Sequence, residues 1–207
     1  NIFKIQEFKD YINTYDSSTL VNLLKVNGNF EDANTLQTGW NAVYTTNSKI
    51  TGIFGTKAQK CISTSTDGKH YIYYDMPSYA VTGHKYFFCM SVKNVTSSSR
   101  LYMLYQNSAG DYVGSASYSN VFNNTNFIKM CGTLEVLSLY STPVLRYFIL
   151  IFKADGTESY AGSTEEINID GAMVVDLTNM GDLPASLRRF FNSSSYTTWA
   201  SLATTSN

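Results

Sequence analysis

The stretch Val21-Asn22-Leu23-Leu24-Lys25-Val26-Asn27-Gly28-Asn29-Phe30-Glu31 runs through a polar loop to Gly39-Trp40. A short apolar strand enters an Asn-Gly turn, and the chain leaves that turn with an aromatic and a carboxylate side by side. This order predicts the opening of a β-sandwich, with the turn kinking the edge of a sheet.

Alternating patterns carry the same reading along the chain. The runs Lys57 to Ser65 and His70 to Met76 flank Thr66-Asp67-Gly68-Lys69, which reads as a hairpin turn. In the second run Tyr71, Tyr73 and Asp75 share one face, and His70, Ile72 and Tyr74 the other. His84 to Asn94 has the clearest period of two, which places Tyr86, Phe88, Met90 and Val92 in the core. Arg100 to Gln106 followed by Asn107-Ser108-Ala109-Gly110-Asp111 predicts a second hairpin. Asn126 to Ser138 reads as one long or bent strand across Gly132, and Val144 to Lys153, apolar on both faces, as a central strand. Ala154-Asp155-Gly156-Thr157 turns the chain, and Ile167, Ile169, Met173 and Val175 are expected on the inner face of the closing strand. Repeated short strands at this spacing predict an all-β fold, a jelly-roll β-sandwich of two antiparallel sheets.

Composition agrees with that class. The chain has 207 residues, enough for one sandwich core with appendages; 16 Tyr and 12 Phe against 3 Pro and 15% charged residues favour aromatic-faced strands over a helical bundle. Residues 1–19 place Ile5, Phe8, Ile12 and Tyr15 on one face of a short N-terminal helix, either packed on the sandwich or ending a coiled coil. Residues 20–178 form the sandwich, and residues 179–207 a short C-terminal helix and a Ser/Thr-rich tail. The net charge of −1 provides no broad positive field, so no nucleic acid is expected as a partner. Val144 to Phe152, interrupted by Arg146, falls short of the roughly 20 apolar residues that span a bilayer, so no membrane insertion is expected. A start at Asn1 without Met or an apolar signal region reads as an excised fragment or a processed product. Cys61, Cys89 and Cys131 fit neither a disulfide framework nor a zinc pattern; they read as core thiols, with one disulfide left open.

The Asn-Leu-Leu, Asn-Gly-Asn-Phe-Glu and Gly-Trp pattern resembles the start of jelly-roll carbohydrate-binding modules of polysaccharide hydrolases and bacteriophage tail proteins. Ile167-Asn168-Ile169-Asp170-Gly171-Ala172-Met173-Val174-Val175-Asp176-Leu177-Thr178 is similar to their last strand, and its Val-Asp-Leu-Thr ending looks more like the phage proteins. Such modules often hold a structural calcium near their opening turn. If the first and last strands pair, as the resemblance implies, Glu31 and Asp170 meet beside the backbone of Asn27 and Asn29, a set of hard oxygen ligands. The alternative is that these carboxylates cap backbone N–H groups, or that Glu31 pairs with Lys or Arg.

Sugars present flat apolar C–H faces ringed by hydroxyls, so a binding site offers aromatic rings with polar groups at the rim. Tyr71, Tyr73 and Asp75, then Arg100, Tyr102 and Gln106, and Tyr147 on the expected outer face of its strand, would line a groove if their strands share one sheet. Tyr residues also serve as packing elements with one wet end. Trp40, with Asn41 and Tyr44, is either a second platform or a plug at one end of the core. Catalytic patterns are thin: no Gly-x-Ser-x-Gly elbow, no His-Glu-x-x-His helix, only His70 and His84 as imidazoles, and a Gly52 to Lys57 segment one element short of a phosphate loop. No enzyme activity is expected.

The resemblance implies a non-catalytic glycan-binding module of a phage tail fibre or baseplate protein, located in the virion or outside the cell and recognising bacterial surface polysaccharide. It also implies a homo-oligomer such as a trimer, in which avidity multiplies a weak single-site affinity. The rivals are a structural spacer of a virion and a binding module cut from a polysaccharide hydrolase.

Overall fold

The computed structural model describes residues 22–65, 68–119, 126–153 and 164–178. The expected helix within 1–19, the helix and tail of 179–207 and the turn at 154–157 lie outside the described residues.

Among the described residues ten strands follow one another: β1 (Asn41–Val43), β2 (Thr45–Thr51), β3 (Lys57–Ser63), β4 (His70–Asp75), β5 (Lys85–Asn94), β6 (Ser97–Gln106), β7 (Tyr112–Ser119), β8 (Ile128–Glu135), β9 (Leu145–Lys153) and β10 (Glu166–Asp176). They form two antiparallel five-stranded sheets, ordered β1-β4-β9-β6-β7 and β2-β3-β10-β5-β8. The all-β sandwich expected from alternation is the fold observed. Tyr86, Phe88, Met90 and Val92 of β5 point inward as predicted and meet Leu101, Met103 and Tyr105 of β6 and Leu145, Ile149 and Ile151 of β9. The central position of β9, between β4 and β6, is the one its two apolar faces imply.

Five expectations need correction. Asn22 to Leu24 is not a strand, and Lys25–Gly28 forms a single 3-10 turn. This segment still runs beside β10: Leu23 N donates to Val174 O at 2.8 Å, and the Asn22 side chain bonds both Val174 N and Ala172 O. β3 and β4 do not form a hairpin, because the chain crosses between sheets there. The same turn residues serve either a hairpin or a crossing, so composition alone could not separate them.

The third correction concerns β10. Its inner residues are Ile167, Ile169, Ala172 and Val174, not Met173 and Val175. A bulge shifts the register between Asp170 and Met173, where Gly171 adopts φ +55. One extra residue reverses the side-chain alternation for the rest of the strand. Fourth, Cys89 and Cys131, register partners on β5 and β8, are joined in a disulfide, while Cys61 stays a buried free thiol.

Tyr147 was expected on the outer face of β9 and is instead fully buried in the core. Its hydroxyl donates to the Cys89 carbonyl at 2.7 Å, which binds the two sheets together through a polar atom. Tyr147→Phe removes that bond and leaves a buried carbonyl short of a donor, so urea unfolding should show a loss of about 1 kcal/mol. A variant as stable as the parent would contradict this assignment.

Candidate functional site

The outer face of the β1-β4-β9-β6-β7 sheet collects aromatic side chains in register. One row crosses all five strands as Asn41, Tyr73, Phe148, Tyr102 and Ala116. At the usual strand spacing it is about 19 Å long. A second row holds Val43, Tyr71, Leu150 and Arg100, and a third Asp75, Arg146, Leu104 and Gly114. β4 and β6 are not paired with each other; β9 lies between them and supplies the floor.

The rings brace one another. Tyr102 stacks flat on Phe148, with centroids 4.8 Å apart and planes 7° from parallel. Tyr71 meets the other side of Phe148 edge-on at 5.8 Å and leans on Tyr73 at 5.7 Å. Phe148 is thereby only 9% exposed although it faces outward.

Two guanidinium groups frame this platform. Arg146 donates to both oxygens of Asp75, at 2.7 and 2.9 Å, and lies 4.3 Å from the centre of the Tyr73 ring. The Asp75 hydrogen bonds raise the Arg146 pKa, fixing its charge. Arg100 donates to the Tyr102 hydroxyl at 2.7 Å and lies near the Tyr102 and Phe152 rings. Gln106, at the end of β6, donates to Gly110 O and so holds the β6–β7 loop.

Tyr71, Tyr73, Asp75, Arg100, Tyr102 and Gln106 thus share the expected face. Trp40 and Tyr147 do not. Trp40 is 5% exposed, packs against Phe30, Tyr74 and Tyr147, and donates from Nε1 to Asn27 O at 2.9 Å, which makes it the plug of one core end. Sequence reasoning missed Phe148, Leu150 and Arg146. Arg146 was the available signal, since a cation in a sandwich strand belongs on the outer face and assigns every even-numbered residue of β9 to it.

The carboxylates at the opening turn lie at another place in the fold. Glu31 accepts from Thr56 N at 2.8 Å, Thr56 Oγ1 at 2.7 Å and Lys57 N at 2.8 Å. Asp170 accepts from Ile53 N, Phe54 N and Gly171 N at 2.7–3.0 Å. Both carboxylates therefore bind the β2–β3 loop, Asp170 at its start and Glu31 at its end, whereas the resemblance implied that they meet beside the Asn27 to Asn29 turn through pairing of a first and a last strand. That loop needs glycine at position 55, where φ is +109 and a Cβ would collide with Glu31 Oε1.

No protein-family model matches the sequence, and no curated protein matches it. Solved structures do match in fold. The CBM22-1 xylan-binding domain of Paenibacillus barcinonensis Xyn10C is similar over 72% of this chain and 91% of its own, with 13% identity and a TM-score of 0.54. A family 16 carbohydrate-binding module is similar over 73% of this chain and 99% of its own, with 14% identity and a TM-score of 0.52. The enzymatically active domain of bacteriophage CBA120 tailspike protein 4 is similar over 75% of this chain but 21% of that one, with 11% identity and a TM-score of 0.53. The fold is that of a jelly-roll carbohydrate-binding module.

The resemblance to such modules implied calcium held by Glu31, Asp170, Asn27 and Asn29. In this chain Asn27 O accepts from Trp40 Nε1, the Asn27 amide donates to the Tyr74 hydroxyl, and Asn29 Oδ1 accepts from Glu31 N. With the donors to Glu31 and Asp170, these oxygens face N–H and O–H hydrogens in place of one shared centre. A calcium cage needs about 6 to 8 oxygens around one point, and this donor set does not fit it.

Burial pushes the Asp170 carboxyl up to about 6; its three N–H donors offset part of the rise, and the Glu31 charge adds to it. The folded state therefore holds a proton that the unfolded state has released between the ordinary aspartate value of 3.8 and about 6. The resulting stabilisation is full below the lower value and is lost as the pH rises through the upper one. Burial of His70 lowers its pKa, which acts in the opposite direction, so the comparison is made with Asp170→Asn. From pH 7 to 5 the parent should gain about 1 kcal/mol relative to that variant in urea unfolding. Parallel pH profiles would contradict the assignment.

Proposed function

We propose that this chain is a non-catalytic glycan-binding module whose site is the outer face of the β1-β4-β9-β6-β7 sheet. The carrying observation is the braced row Tyr71, Tyr73, Phe148 and Tyr102, flanked by Arg146, Asp75 and Arg100. Flat rings match the C–H faces of pyranoses, and guanidinium and carboxylate groups at the rim match their hydroxyls. A row of about 19 Å suits an extended chain of sugars over a single terminal residue. Likeness in fold to a xylan-binding domain supports a polysaccharide ligand.

The proposal extends to context. A phage tail fibre or baseplate protein, recognising bacterial surface polysaccharide from a virion or extracellular position, agrees with the Val-Asp-Leu-Thr ending and with the tailspike among the neighbours. Assembly as a homo-oligomer such as a trimer would raise the avidity of a shallow site.

An array of bacterial surface polysaccharides and plant glycans, probed with the chain presented multivalently, should show reproducible binding. Tyr102→Ala should weaken it at least about tenfold, since a central aromatic anchor commonly carries that much. Tyr147→Phe, altered inside the core, should bind as the parent does. Absence of binding across the array, or equal binding by Tyr102→Ala, would favour a structural spacer over this reading.

A further inference from the structure

The stretch Phe30 to Asp32, which leaves the turn that the resemblance associates with calcium, is crossed by two lysines from the neighbouring sheet edge. Lys49 Nζ of β2 lies 2.9 Å from Phe30 O, 3.1 Å from Gln37 Oε1 and 3.2 Å from Asp32 Oδ1. Lys57 Nζ of β3 lies 3.1 Å from both Glu31 O and Asp32 O. Three consecutive carbonyls, those of Phe30, Glu31 and Asp32, are thus turned onto ammonium groups. Phe30 adopts φ +57 at this point, left-handed backbone that a residue with a side chain adopts only against a steric cost.

We propose that the ammonium groups of Lys49 and Lys57 take the place of the divalent cation in this turn, so that the module folds and remains folded independently of calcium.

Charge and donor geometry both support this assignment. The Lys49 ammonium faces the Asp32 carboxylate and the Lys57 charge lies near that of Glu31, so protein cations already stand beside both of these carboxylates. The Lys49 ammonium donates two hydrogen bonds, to Phe30 O and Gln37 Oε1, and pairs electrostatically with Asp32 Oδ1 at 3.2 Å. The Lys49 side chain is 13% exposed, and such a charge stays inside only when paired and hydrogen-bonded. Asp32 also accepts from Thr38 N and Thr38 Oγ1, each at 2.6 Å, which anchors the far end of the loop. Burial raises the Asp32 pKa, but the Thr38 bonds and the Lys49 charge outweigh it and hold the carboxyl at about 2, so it is an anion at neutral pH. A divalent ion entering among these oxygens would meet both ammonium groups at close range and would have to displace them.

The test is thermal unfolding of the full 207-residue chain in excess EDTA and in millimolar calcium at matched ionic strength. The two unfolding curves should superimpose, and calorimetric titration with calcium chloride should show no saturable heat. Lys49→Met and Lys57→Met should each lower the midpoint by several degrees in both buffers. A calcium-dependent rise in the parent's midpoint, or saturable binding of calcium to it, would overturn the proposal without reference to any variant. Two methionine variants that unfold at the parent's temperature would overturn it as well.

Discussion

β9 serves two surfaces at once, and the architecture follows from that constraint. Tyr147, Ile149 and Ile151 must be withdrawn from water on one side, while Arg146 must remain near it on the other. Only a strand with neighbours on both edges and a second sheet beneath it satisfies both demands. β4 and β6 supply the neighbours, and β5 faces it across the core with Phe88, whose ring centre lies 6.1 Å from that of Tyr147. The candidate site is the consequence on the outer side: Phe148 and Leu150, too apolar for open solvent, are covered by rings that β4 and β6 bring in on either hand.

The opening turn is held by polar atoms where the sandwich leaves its apolar core. Gln59 is fully buried on β3, yet its amide donates to Thr35 O and Ser48 O and its carbonyl accepts from Gln37 N. These contacts fasten the 30–38 loop across the β2–β3 edge, beside Lys49 and Lys57. A buried amide without partners would destabilise the fold, whereas this one is satisfied at both ends and specifies where the loop sits.

Legibility in the sequence tracked how local each cause was. The faces of β4 and β5 could be read because alternation is a property of the strand itself. The inner face of β10 could not be followed past Asp170, because a bulge at Gly171 is set by its pairing with β5 and reverses the alternation without interrupting the apolar run. Tyr147 was misassigned for a related reason: β9 is apolar on both faces, and only Arg146 distinguishes them. Glu31 and Asp170 were singled out together, but the β2–β3 loop that both of them bind was not legible. The donors are mostly backbone N–H groups of residues 53–57, which carry no side-chain signature.

Bracing also determines what the outer face can do as a site. Had Tyr71, Tyr73 and Tyr102 been mobile, a ligand would have to immobilise each of them, at roughly 0.5–1.5 kcal/mol per side chain. Here that ordering occurs on folding: Phe148 fixes Tyr102 by stacking, Tyr71 rests on Phe148 and Tyr73, and Arg146 is tethered to Asp75 over the Tyr73 ring. The cost is that one side of each ring is already occupied, so a ligand meets ring edges and remaining faces in fixed positions. A surface of this kind selects by shape along the row more than by the strength of any one contact, which suits an extended polymer that touches several rings at once.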